Sequence, residues 1–81
     1  MNDKYLILSI AKKEIQKQLD QAQKRLKRAS DKLFYADLEK TTQRARAMMR
    51  VKARAEAEER DRWQRRLEIV EEWIEEVRKQ G

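Results

Sequence analysis

Hydrophobic positions recur along this chain at alternating intervals of three and four. In the first half they fall at Tyr5, Leu8, Ile15, Leu19, Ala22, Leu26, Ala29, Leu33 and Ala36, with Lys12 the one polar member of the series. That spacing is a heptad stripe and predicts a long helix packed against at least one other. From Leu19 onward leucine alternates with alanine, and small side chains at every second layer allow two helix axes to approach closely. A second stripe runs through Met49, Ala53, Trp63, Leu67, Val70, Ile74 and Val77. On one straight helix the two stripes would face directions about 130° apart. A chain that turns back on itself removes the conflict.

No proline occurs, and the one glycine is the last residue, so the turn has no obvious marker. Ser30-Asp31 and Thr41-Thr42 both carry side-chain oxygens suited to capping a helix start. A turn at about residues 38–41 gives helices over about 3–38 and 42–80. Their near-equal length suits an antiparallel, coiled-coil-like hairpin. A turn at Ser30 with another near Asp61, where Gln64 completes a capping-box spacing, gives a three-helix bundle instead. One continuous rod in a coiled coil is the third possibility. The expected fold is therefore all-α: a single domain over residues 1–81, built as a long helical hairpin.

Charge favours a folded-back chain. Residues 67–77 hold Glu68, Glu71, Glu72, Glu75 and Glu76 with no cation, and a hairpin lays them beside Lys4, Lys12, Lys13 and Lys17. Exposed ion pairs contribute only about 0.2–1 kcal/mol each. They nonetheless penalise registers in which cations face cations.

The overall charge of +6 is uneven. Residues 21–54 hold eleven Lys and Arg against three acids, whereas the last 27 residues hold nine acids and six bases. The turn end is thus strongly basic, a legitimate sign of a polyanionic partner. Lys24, Arg25, Lys27 and Arg28 approach it from the first helix, and Arg44, Arg46, Arg50 and Arg54 from the second. Arg46, Arg50 and Arg54 follow at intervals of four and predict one ridge, with guanidinium groups that suit bidentate phosphate contact. Phe34 and Tyr35 lie near the turn; they suit stacking on an unpaired base, although Phe34 also fits the second apolar stripe as plain packing. The absence of helix-turn-helix, zinc-finger, RRM or KH signatures points to backbone and shape contact, with RNA or a ribonucleoprotein preferred over a specific DNA site.

At the opposite end Ile7 and Ile10 fall outside the first stripe, and Ile69 and Trp73 outside the second. A hairpin buries one face of each helix, so these four predict self-association, most simply a homodimer forming a four-helix bundle. A three-helix monomer would bury them internally.

Catalysis is not expected. The chain has neither cysteine nor histidine, which removes disulfides, Cys/His zinc sites and histidine-activated nucleophiles. Glu68, Glu71, Glu72 and Glu75 share one helical face, but without histidines or facing ligands they read as solvated surface. No glycine-rich loop cradles a phosphate, so no cofactor, metal or small-molecule substrate is expected. The longest apolar stretch, from Tyr5 to Ala11, is far short of the ~20 residues that span a bilayer, and an intracellular protein is the default reading. The alternative function is purely structural: an accessory subunit, an adaptor or a designed helical bundle with no nucleic-acid role.

Overall fold

The computed structural model describes residues 3–38 and 41–80. It contains two helices, α1 (Asp3–Leu38) and α2 (Gln43–Gln80), packed antiparallel along their length. The hairpin measures 59 × 14 × 13 Å. α1 passes through Ser30 and α2 through Asp61 without a break, so the three-helix alternative and the single rod do not describe this fold. Residues 39 and 40 of the expected turn lie outside the described residues.

The two threonines divide the capping between them. The Thr41 hydroxyl donates to the Ala36 carbonyl at 2.9 Å, satisfying an acceptor that the end of α1 leaves open. Thr42 Oγ1 accepts the Ala45 N–H at 3.2 Å, the N-cap geometry at the third residue of α2, and the Thr42 carbonyl accepts the first helical bond from Arg46 at 3.0 Å. Two adjacent polar side chains thus cap the end of α1 and the start of α2 in a chain with no internal glycine or proline.

The apolar stripe of α1 is the seam. Leu19, Ala22, Ala29 and Ala36 are buried, Leu8, Lys12, Ile15, Leu26 and Leu33 half-buried, and only Tyr5, at the open end, is exposed. On α2 the seam contains Leu67 and Val70, both buried, with Met49, Ala53, Trp63, Ile74 and Val77 half-buried. Its heptad spacing continues through Arg46, Glu56 and Arg60, which are half-buried too. Glu56 and Arg60 fill the gap between Ala53 and Trp63 in the hydrophobic pattern, and Arg46 extends the pattern before Met49.

Register is read from two cross-helix contacts, Arg25 with Glu56 at 3.2 Å and Tyr5 with Arg78 at 3.4 Å. It sets Leu19 level with Trp63, Ala22 with Arg60, Leu33 with Met49 and Ala36 with Arg46. Large or long side chains of α2 therefore lie across from alanines of α1 at two of the levels. Their aliphatic stems cover apolar surface while the charged heads reach the edge of the seam. No large side chain is fully buried among the described residues, as expected where only two helices share one seam.

Candidate nucleic-acid interface

The predicted cations do gather toward the turn end, but not as one ridge. Lys24, Lys27, Arg28, Arg44, Arg50 and Arg54 are exposed, and Arg25 and Arg46 are half-buried. Heptad geometry separates them by direction. Arg25 and Arg28 lie on one flank of the hairpin, where with Lys32 and Lys52 they border a shallow recess. Lys27, Arg50 and Arg54 lie on the opposite flank. Lys24 and Arg44 occupy the outer backs of α1 and α2, and Arg46 sits at a seam position. The cations encircle the rod, so Arg46, Arg50 and Arg54 do not present the common ridge that their spacing suggests.

Arg25 has a carboxylate partner across the hairpin. Its Nε donates to Glu56 Oε2, and the two side chains are 42% and 21% exposed. Glu56 lies beyond the basic segment in sequence, and the fold returns it to that segment. The pair takes part of Arg25's charge into the hairpin itself. The remaining exposed cations form the belt.

Apolar surface interleaves with this belt. Phe34 and Tyr35 are 61% and 59% exposed, in edge-to-face contact with ring centroids 5.7 Å apart. Packing of Phe34 into the second stripe is therefore not what the fold does: its place in α1 turns it away from the seam. Met48 and Val51 of α2 are exposed as well. Sequence reasoning passed over these two. The available signal was the Met48-Met49 pair, since two adjacent residues of a helix cannot both face a narrow seam.

At the open end all four of Ile7, Ile10, Ile69 and Trp73 are exposed, joined by Leu6. Ile7 and Trp73 border one shallow groove together with Leu8 and Val77. Ile69 lies one turn from Trp73 on the same side of α2. Ile10 lies further round, on the back of α1, so three of the four share a flank. The carboxylates of Glu68, Glu71, Glu72 and Glu75 are exposed, and no cluster of three potential metal ligands forms among the described residues.

Local electrostatics are resolved at Tyr5 and Arg78. The Arg78 guanidinium donates to the Tyr5 hydroxyl and lies 5.9 Å from its ring centroid. That hydrogen bond, reinforced by the adjacent positive charge, holds the Tyr5 phenol below the ordinary tyrosine range and Arg78 above the ordinary arginine value. Trp63 is held in a similar way at mid-length. Its indole N–H donates to Glu59 at 2.9 Å, and Arg66 covers its ring at 4.5 Å from the centroid.

No described helix is long and apolar enough to cross a membrane. Comparison with protein-family models, with curated proteins and with solved structures finds no match to the chain. The fold defines a class, the two-helix antiparallel hairpin, and the reading of its role rests on the surface alone.

Proposed function

We propose that this chain is a non-catalytic binding module that contacts a polyanion, RNA or a ribonucleoprotein in preference to a specific DNA site, through the belt of cations at the turn end. The observation that carries the reading is the placement of charge. Among the described residues eight exposed Lys and Arg side chains, Lys32 and Lys52 included, project in four directions from the turn-end half of a narrow rod. A belt of this kind suits a flexible or grooved phosphate backbone that wraps the rod, and it makes no demand on base sequence. Exposed Phe34 and Tyr35 at the same end add surfaces on which unpaired bases stack.

The test compares two charge-matched variants. Lys27, Arg50 and Arg54 changed together to Gln remove three cations from the belt. Arg62, Arg65 and Arg66 changed to Gln remove three from the part of α2 outside it. Affinity for a mixed-sequence single-stranded RNA, followed by fluorescence anisotropy, falls at least tenfold in the first variant and much less in the second. Equal losses would mean that net charge alone, not the turn end, governs binding.

A second reading is favoured by the exposed apolar residues at the open end: the chain associates with itself, using Ile7, Ile10, Ile69 and Trp73. Trp73 is 54% exposed in the single hairpin, and a tryptophan so placed is more commonly buried against a partner.

A further inference from the structure

One flank of the hairpin carries a pattern that reads the same way only when it is turned end over end. At the open end it presents Ile7, Ile69 and Trp73; at the turn end it presents Tyr35 and Met48, also exposed. Two shallow recesses mark this side at its two ends, and helical intervals of three and four from their lining residues carry Ile69, Tyr35 and Met48 to it. The first joins Lys4 and Ile7 of α1 to Trp73 and Glu76 of α2, and the second joins Arg25, Arg28 and Lys32 to Lys52. Intervals of three and four connect the two recesses along both helices. Between the apolar ends, Glu14 stands on the open-end half and Arg28 on the turn-end half.

We propose that a second copy of this chain docks antiparallel on this flank over its full length, making a four-helix bundle with one turn at each end. Rotation about an axis at the level of Gln21 and Asp61 brings Ile7 level with Tyr35 of the second copy. The same rotation sets Trp73 between Met48 and Lys52, and Glu14 beside Arg28. Apolar surface meets apolar surface, and the lone carboxylate of α1 on this flank meets a cation. At the centre Gln21 meets its own copy, and Arg62, which also lies on this flank, comes level with Glu59 of the second copy, a carboxylate that offsets its approach to its own counterpart.

Other arrangements do worse on the same surface. Parallel pairing stacks Arg25, Arg28 and Lys32 against Lys52, cation on cation. The opposite flank, turned end over end, sets Asp20 and Asp61 close to their own copies. Overlap of the open ends alone buries the three apolar residues but covers only a fraction of the face. Length separates these cases: full-length pairing covers the whole 59 Å of the hairpin, whereas overlap of the open ends leaves the turn-end apolar residues uncovered. Pairing on this flank takes Arg28 and Tyr35 into the interface and leaves Lys24, Lys27, Arg44, Arg50 and Arg54, with Phe34, on the outer surface at both ends of the bundle.

The proposal rests on reading the open-end apolar residues as a self-association surface and specifies its geometry. Because the chain lacks cysteine, single Asp3→Cys and Gln21→Cys variants can be spin-labelled one at a time and measured by dipolar spectroscopy at about 100 μM, where even a modest dimer is populated. The antiparallel bundle gives a short Gln21 distance, below about 20 Å, and an Asp3 distance of about 50 Å from the rise of 1.5 Å per residue. Two short distances mean parallel pairing; a short Asp3 distance with a long Gln21 distance means open-end overlap. Either pattern overturns the antiparallel bundle while leaving self-association standing. A monomer mass in sedimentation at that concentration, with no dipolar coupling, overturns both. In the double variant Ile7→Arg with Trp73→Arg, dimer affinity falls at least tenfold while helicity by circular dichroism is kept, since both residues lie outside the seam. Unchanged dimer affinity there would also overturn the proposal.

Discussion

Tyr5 is the residue whose chemistry the fold alters most plainly. Arg78 donates a hydrogen bond to its hydroxyl across the open end, and a cation beside a phenol favours the phenolate. The ionisation of Tyr5 is therefore displaced downward from the ordinary tyrosine value. A group whose folded-state pKa is depressed stabilises the fold as pH rises through that range, and the contribution is lost as pH falls back through the lowered value. Arg78→Gln returns the Tyr5 titration, followed by NMR of the ring carbons, toward the ordinary value. A titration that does not move on this substitution would mean that the contact is absent in solution. Trp63 is the other decisive side chain. It lies level with Leu19 in the seam, half-buried beneath Arg66, so Trp63→Ala removes less than a fully buried tryptophan would. The expected loss is about 2–3 kcal/mol in a urea melt, against ~3–5 kcal/mol for complete burial. That is a large share of the roughly 4–12 kcal/mol expected for a domain of this size.

At the scale of the elements, the capping threonines and the polar seam positions carry the testable content. Thr42 satisfies the Ala45 N–H, and its replacement by alanine is expected to destabilise the hairpin by about 1 kcal/mol. Arg60 occupies a seam position level with Ala22, which is fully buried, while its guanidinium reaches outward to Asp61 at 2.9 Å. An exposed pair between adjacent residues contributes little. Arg60→Met keeps the stem over Ala22 and removes the need to hold a charge at the seam edge, so thermal stability is expected to rise by about 0.5–1 kcal/mol. A fall would show that the ion pair matters more than the apolar contact. The helices were legible in sequence because the stripe of α1 is almost wholly apolar and α2 has Trp63 through Val77 as its strong half. The existence of a turn was legible from the change of apolar face, but its place was not, because Ser30-Asp31 and Thr41-Thr42 offer the same capping chemistry and no glycine or proline decides between them. The seam of α2 near Arg46, Glu56 and Arg60 was not: a heptad position filled by a long charged side chain looks like surface until a partner helix with small residues is known to face it.

On the scale of the whole molecule, shape and charge are arranged along one axis. Folding back places the acidic part of α2 at the open end and the belt of cations around the other half. The excess of cations near the turn was readable directly from composition. Its wrapping around the rod was not, because spacing within one helix says nothing about the direction its partner adds. Arg46 shows the point: intervals of four placed it in a ridge with Arg50 and Arg54, whereas the seam claims it. Glu56 shows the converse, since an acid remote in sequence meets Arg25 across the hairpin. Exposure of Ile7, Ile69 and Trp73 was legible from their departure from the stripes. The matching apolar residues at the turn end became visible only once both flanks were assembled.

The claim that the belt binds a polyanion is tested most directly by the salt dependence of the wild-type chain's affinity for a mixed-sequence single-stranded RNA. Each phosphate neutralised adds about −0.7 to the slope of log affinity against log salt concentration. A belt of eight exposed cations among the described residues, of which a single strand engages roughly four at once, gives a linear plot with slope near −3. A flat plot, or no measurable binding at low salt, would contradict the account.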